Sequence, residues 1–208
     1  MKRFSSLLLV AVVALGLTLT GCDSTTSESG SLDLTMSSSS TKTLSKQMTA
    51  SDVDTARVTI ERLSIVPADD ASENGGPEVG VTVLTDSNFT VDLKNLQAGL
   101  DETLPTIDIP TGTYSQLRLV TTDKAEVSFT NTTGTEEVMI ASGQQTGLKV
   151  NFSEFTVASA DDRVTMTVNW DVTESLKGSG SGKYTITPTI NNASATVNSA
   201  TSDDGSSN

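Results

Sequence analysis

The 208-residue sequence contains no histidine and a single cysteine, Cys22. Without histidine, the chain lacks the commonest general base at neutral pH, which excludes His-containing catalytic triads and His-ligated zinc or iron. With one cysteine it can form no internal disulfide, so the folded chain must be held together by packing alone. We therefore expect a non-enzymatic protein that uses no cofactor.

Long apolar runs are also missing, since residues 7–19 are too few to cross a bilayer, which takes roughly 20 apolar residues. The run follows a basic N-terminus, as in a cleavable export signal. It ends in Leu19-Thr20-Gly21-Cys22, which resembles the lipobox of bacterial lipoproteins, where small residues before the cysteine admit a signal peptidase and the cysteine thiol receives a diacylglycerol. The resemblance predicts cleavage between Gly21 and Cys22 and attachment of lipid, including a palmitoyl chain, to Cys22. The alternative is an ordinary secretory signal in which the cysteine is incidental.

Two or more acyl chains anchor a protein stably. We therefore expect an exported protein attached to a membrane by its N-terminal lipid. Its expected location is the cell envelope, on the outer-membrane, periplasmic or cell-surface side.

Basic residues are scarce: Lys and Arg number 13 against 26 Asp and Glu, for a net charge of −13. Such a field repels phosphate backbones, which argues against a nucleic-acid partner. The surplus indicates a solvated acidic surface or, alternatively, a surface that binds cations. Adjacent carboxylates occur at residues 69–70, 161–162 and 203–204, but the chain has no Asp-x-Asp-x-Asp-Gly calcium loop. We interpret these pairs as solvated turns and expect no metal site.

Composition divides the chain into four segments. Residues 1–21 are the predicted signal peptide, and residues 22–31, rich in Ser, Thr and Glu, are a predicted flexible spacer. Residues 32–190 carry the apolar positions of a single folded domain. Residues 191–208, rich in Ser, Asn and Asp, are predicted to be a disordered polar tail.

Within the domain, apolar and polar residues alternate with a period of two, and Val and Thr are frequent. About ten such short segments, separated by Gly, Pro, Asn and Ser, predict an all-β fold, an antiparallel Greek-key-type β-sandwich. The phase of the alternation shifts after Glu61-Arg62, which predicts a bulge in one long strand. Residues 131–134 predict a hairpin turn, and residues 94–100 predict at most one short helical turn. Trp170 has the parity of its apolar neighbours and is expected in the core rather than on a sugar-binding surface.

Two stretches are more specific than composition: residues 109–120 (IPTGTYSQLRLV) and 142–150 (SGQQTGLKV). Together with residues 91–99, 169–171 and 184–190, they resemble a family of exported bacterial and archaeal domains of unknown function. The resemblance extends from about residue 31 to 192. It implies a β-sandwich of the prealbumin or carboxypeptidase-regulatory kind, carried on lipid-anchored or secreted chains, with no established activity.

Five polar residues near these stretches are candidates for a structural or a ligand-binding role: Arg118, Gln144, Gln145, Lys149 and Asp171. Arg118 is expected on the face opposite Leu117 and Leu119, where it would pair with Asp92 or Asp171 or else face a ligand. The two glutamines and Lys149 would satisfy backbone groups or form a shallow site for a polar ligand such as a sugar.

The expected function is that of a lipid-anchored binding or adhesion module. Its ligand would be a glycan, another envelope component or a partner protein. The alternative is a structural or accessory subunit that joins an envelope assembly through an exposed sheet edge.

Overall fold

The computed structural model describes residues 28–38, 53–70, 80–130, 132–141, 147–178 and 184–199. These residues contain 14 strands and two short helices. The strands form two large sheets that pack on a shared apolar core, so the predicted all-β sandwich is confirmed. None of the described helices has the length and hydropathy needed to span a membrane.

Sheet A has the strand order β14-β11-β1-β5, and β6 also pairs with β1. Its strands are β1 (Ser29–Ser37), β5 (Glu102–Thr103), β6 (Ile107–Pro110), β11 (Arg163–Trp170) and β14 (Ile190–Asn198). β5 and β6 follow one another along the same side of β1. The β1–β11 pair is parallel, which departs from the fully antiparallel expectation. Strands so far apart in sequence are not joined by a hairpin, and only a hairpin imposes the antiparallel direction.

Sheet B is organised around one central strand, β2. Its strands are β2 (Val53–Pro67), β3 (Thr82–Thr85), β4 (Phe89–Asp92), β7 (Gly112–Thr121), β8 (Lys124–Phe129), β9 (Thr135–Met139) and β10 (Leu148–Val157). Arg57 of β2 pairs with Glu126 on one side and with Asp92 on the other. In this way β7 and β8 line one side of β2, while β3 and β4 line the other. Two further strands, β12 (Leu176–Gly178) and β13 (Tyr184–Ile186), form a separate small ladder.

The predicted bulge in the long strand is confirmed. The register between β2 and β7 shifts between Ile60 and Arg62. Before the shift Val58 and Ile60 are fully buried, and after it Leu63 and Ile65 are. One extra residue therefore keeps both halves of β2 facing the core. The hairpin predicted at residues 131–134 is confirmed as well, because β8 and β9 pair in antiparallel fashion across it.

Trp170 is fully buried, as its parity predicts. Its neighbours in the core are mostly aliphatic side chains from both sheets. The largest of them are Leu32, Leu34, Met36, Ile60, Leu63, Ile65, Leu93, Leu96, Ile109, Leu117 and Leu119. At roughly 25 cal/mol per Å² of apolar surface, their burial is the main stabilising contribution in a fold without disulfides.

Two helices interrupt the strands. Helix α1 (Leu93–Gln97) occupies the segment where one helical turn was predicted. Helix α2 (Val172–Ser175) was not predicted, because four residues are too few to display helical periodicity. A 3₁₀ turn at Ala68–Asp70 follows β2.

Both predicted domain boundaries were misplaced. Residues 29–31, assigned to the spacer, belong to β1, and residues 191–198, assigned to the disordered tail, belong to β14. The tail prediction is therefore wrong for β14, which pairs with β11 along its length. Its apolar positions are mostly small, Ala193 and Ala195 beside Val197, and are only partly buried against the core. Small side chains between Ser and Asn give almost no alternation signal, which is why the strand was missed.

Candidate functional site

The face of sheet B directed away from the core carries a group of charged side chains. On β2, the outward residues Arg57, Thr59 and Glu61 alternate with the buried Ala56, Val58 and Ile60. On the neighbouring strand β8, the outward residues Lys124, Glu126 and Ser128 alternate in the same way with buried apolar residues. We call this surface the acidic face, and its residues are Arg57, Thr59, Glu61, Thr90, Asp92, Asn95, Glu102, Thr122, Asp123, Lys124, Glu126 and Glu137.

A row of charged residues crosses the acidic face perpendicular to the strands. Asp92, Arg57, Glu126 and Glu137 lie opposite one another on β4, β2, β8 and β9. Arg57 Nε lies 3.7 Å from Asp92 Oδ2. Lys124 Nζ donates to Glu137 Oε2 at 2.5 Å, and this hydrogen bond raises the pKa of Lys124 above its usual value. Both cations are thus paired with acids.

Asp92 holds the end of this row in place. Its carboxylate is nearly buried, and Oδ1 accepts from the backbone N–H groups of Ala56 (3.1 Å) and Lys94 (3.0 Å). The Lys94 contact caps the N-terminus of α1. The backbone N–H of Asp92 in turn donates to Glu102 Oε1 at 3.0 Å, which links sheet B to β5 of sheet A. Asp92 therefore supports the face rather than presenting a free carboxylate.

Two adjoining open grooves, of about 500 and 460 Å³, cover the acidic face. They share Thr59 and Glu126, so they form one continuous surface. Six carboxylates and two cations line them, which leaves a local excess of negative charge. Hydroxyl groups lie between the charges, where Thr59 and Thr90 are hydrogen-bonded at 3.2 Å. Such a surface can bind a donor-rich or basic partner through several contacts at once.

Within the described part of the chain, no three acidic, cysteine or histidine side chains converge closely enough to hold a metal ion. Of the adjacent acids at 161–162, Asp162 accepts hydrogen bonds from the backbone of its own turn. Asp162 Oδ2 accepts from the N–H groups of Ala158 (2.7 Å) and Ser159 (3.1 Å). The first of these bonds is the main reason that the pKa of Asp162 lies below its usual value.

The sequence-predicted residues Arg118 and Lys149 meet on the outward face of sheet B, beyond the acidic face. They lie directly opposite each other on β7 and β10. Arg118 is nearly buried, and its Nε donates to Gln116 Oε1 at 3.0 Å; Lys149 is exposed. Gln116 is itself held by Asn151, to which its Nε2 donates at 2.8 Å.

The predicted pairing of Arg118 with Asp92 is wrong. Arg118 lies opposite Ser64 of β2, whereas Asp92 lies opposite Arg57, seven residues away along the same strand. At about 3.3 Å per residue, that distance is roughly 23 Å. Arg118 lies on the face of sheet B directed away from sheet A, whereas Asp171 follows β11 of sheet A.

Asp171 instead caps α2, because its Oδ1 accepts from the Glu174 N–H at 3.0 Å. The other predicted site residues, Gly21, Cys22, Gln144 and Gln145, lie outside the described residues. Sequence reasoning missed the acidic face itself. The alternation in β2 and β8 reveals which side chains point outward, but only the strand register reveals that they form one surface.

Comparison with known proteins finds one family. The model described as "Domain of unknown function (DUF4382)" matches residues 29–188 of the chain. No curated protein and no solved structure matches the chain.

Proposed function

The chain belongs to the DUF4382 family of domains of unknown function, and from this premise we propose that it is a lipid-anchored, non-enzymatic binding or adhesion module of the cell envelope. Among the partners expected from the sequence, the acidic face favours an envelope protein with a basic surface. The observation that carries this choice is the local charge, six carboxylates against two cations on one open surface.

The shape of the acidic face supports a macromolecular partner rather than a small molecule. Its two grooves are open and continuous, so a flat protein surface can contact both. Met139 lies opposite Lys124 at the margin of the face and is 58% exposed, which offers an apolar contact among the charges. Charge complementarity across such a surface speeds association and excludes acidic competitors.

The test reverses charge on the acidic face. The domain carrying Glu126→Lys and Glu137→Lys is expected to lose capture of its partner from solubilised envelope, because both substitutions place a cation where the partner's basic surface docks. Capture by the unaltered domain should weaken as salt rises, since screening reduces contacts between exposed charges. Chemical cross-linking followed by mass spectrometry should place the captured protein on β8 and β9.

A matched control carries the same change in charge elsewhere. Asp101→Lys with Glu154→Lys alters two exposed acids that do not line the acidic face. This variant should capture as much as the unaltered domain. An equal loss of capture in both variants would mean that net charge, not the acidic face, determines binding, and would contradict the proposal.

The alternative of an accessory subunit requires an open strand edge. Strand β14, at one edge of sheet A, lies beside β10 of sheet B. At the opposite edge of sheet A, β6 lies beside β3 of sheet B. Where these edges approach one another, they leave little room for an added strand. Strand β9, at the end of sheet B, pairs only with β8 among the described strands and is the edge that this alternative would use.

The anchor and the finer fold relationship complete the proposal. We propose that the lipobox-like Leu19-Thr20-Gly21-Cys22 directs cleavage and lipidation of Cys22. We also propose that the sandwich is of the prealbumin or carboxypeptidase-regulatory kind, which two packed and mostly antiparallel sheets support.

A further inference from the structure

A third groove lies between the two sheets, and none of its described lining residues belongs to the acidic face. It has a volume of about 260 Å³ and lies between the β3–β4 edge of sheet B and the segment joining β5 to β6 in sheet A. We call it the seam groove. Leu84, Phe89 and Ile107 line it; they pack against the core but remain partly exposed. The floor of the groove is therefore apolar.

The rim of the seam groove is polar but uncharged. It is formed by Thr85, Ser87, Asn88 and Thr106. The Ser87 N–H donates to Thr85 Oγ1 at 3.1 Å, which orders the bend between β3 and β4. Thr106 Oγ1 donates to Asp33 at 2.7 Å, and its oxygen can still accept a hydrogen bond. Asn88 is exposed, and its amide can both donate and accept.

The described lining of this groove carries no charge. The chain has a net charge of −13, yet none of the nine described residues lining the seam groove is ionisable. A charged ligand would have to lose hydration against leucine and phenylalanine, and the carboxylate beside the rim, Asp33, is already bonded to Thr106 and paired with Arg163. A ligand that combines an apolar face with neutral hydrogen-bonding groups would meet both the floor and the rim.

A sugar ring has this combination, with C–H groups on its faces and hydroxyls at its edge. We propose that the seam groove binds one neutral sugar ring, with its C–H face on Phe89 and Ile107 and its hydroxyls on Ser87, Asn88 and Thr106. Pockets for drug-sized ligands have volumes of about 300 Å³ or more. The seam groove, at about 260 Å³, is smaller than these pockets and has room for a single ring. The subsite adds a glycan ligand to the binding module and does not depend on the acidic face.

The test is a titration of the ¹⁵N-labelled domain with cellobiose and maltose, followed by amide NMR shifts. Saturable shifts are expected at the amides of residues 84–89 and of Leu104, Thr106 and Ile107. The double variant Ser87→Ala and Asn88→Ala should bind about tenfold more weakly, because hydroxyl and amide contacts are lost without change to the core. Asn95→Ala, the same amide removal on the acidic face, should bind as the unaltered domain does. Glucuronate and glucosamine, which carry charge, should shift these amides much less.

Three results would overturn the subsite: no saturable shift at these residues, an equal response to charged sugars, or an equal loss with Asn95→Ala. The two proposals fail separately. The Glu126→Lys and Glu137→Lys variant should retain sugar binding while losing envelope capture, and the Ser87→Ala and Asn88→Ala variant should do the reverse.

Discussion

The side chain of Ser175 makes three hydrogen bonds inside the sandwich. Its hydroxyl accepts from Trp170 Nε1 at 2.8 Å and from the Thr189 N–H at 3.0 Å, and it donates to the Asp171 carbonyl at 2.6 Å. The residue is fully buried, so water cannot replace any of these partners. One small side chain thus satisfies the polar end of the only tryptophan and a backbone group of the loop before β14.

Replacing Ser175 with alanine should lower the free energy of unfolding by about 1–3 kcal/mol for each of the two donors left without a partner. Urea unfolding followed by the fluorescence of Trp170 measures the loss.

Thr173→Val provides the matched control in the same helix. Thr173 Oγ1 is buried and makes no hydrogen bond, so its removal should leave stability within about 0.5 kcal/mol or raise it. An equal loss in the two variants would contradict the role assigned to the Ser175 hydroxyl.

Asp162 makes the turn between β10 and β11 sensitive to acid. Its backbone hydrogen bonds hold its pKa below the usual value, so the folded state favours the carboxylate. The stability that it contributes is fully present above the pKa of the unfolded chain, about 3.9, and disappears as the pH falls through the lower folded value.

Asp162→Asn should therefore be less stable than the unaltered protein at pH 7, and the difference should shrink as the pH falls below about 4. Urea unfolding of both proteins between pH 3 and pH 7 measures this difference. Asp161→Asn, at the exposed neighbour, should leave the pH profile unchanged. A difference for Asp162→Asn that stays constant with pH would rule out the carboxylate as its cause.

At the scale of elements, β14 decides where the domain ends. It forms the outer ladder of sheet A along β11, and its Val197 lies opposite Val164. Removing it would leave the backbone groups on that side of β11 without their partners and would uncover apolar surface of the core.

A chain that ends at Thr189 should lose more than about 3 kcal/mol of stability, since several ladder hydrogen bonds contribute about 0.5–1.5 kcal/mol each. A chain that ends at Ser199 keeps β14 and should match the full-length protein. Hydrogen exchange of the full chain gives a second measure, with Thr165 and Thr167 protected. If a chain ending at Thr189 were as stable as one ending at Ser199, the prediction of a disordered tail from residue 191 would be supported instead.

Individual elements show which features the local sequence pattern can predict. The bulge in β2 and the burial of Trp170 were predictable, because each depends on which side of a strand a residue occupies. Strand β14 and the Arg118–Lys149 pair were not, because each depends on a neighbour distant in sequence. The acidic face belongs to the second class, since Arg57, Glu126 and Glu137 come together only through pairing of three strands.

At the scale of the whole molecule, the proposed anchor determines how the sandwich meets the membrane. Strand β1 begins at Ser29, seven residues after Cys22. Even fully extended, this tether spans only roughly 25 Å, at about 3.3–3.6 Å per residue. The domain would therefore lie close to the membrane, and its excess of acidic residues would keep it from sticking to anionic lipid headgroups.

Cys22→Ser should release the full-length protein from the membrane. We expect the unaltered chain in the detergent phase after Triton X-114 partition and labelled by radioactive palmitate, because the proposed lipid is attached to the thiol of Cys22. The Cys22→Ser chain should be unlabelled and, once residues 1–21 are removed, should partition into the aqueous phase, while Ser24→Ala should behave as the unaltered chain. Membrane retention of an unlabelled Cys22→Ser chain that lacks residues 1–21 would exclude the lipid as the anchor.

The sequence by itself determined the all-β class, the core face of the strands and the acidic character of the surface. These properties depend on composition and on alternation between neighbours, which any strand expresses locally. Only the tertiary structure decided the parallel β1–β11 pair, the position of β14, the acidic face and the seam groove. Each arises where strands distant in sequence meet, and their register depends on the packing of the whole core.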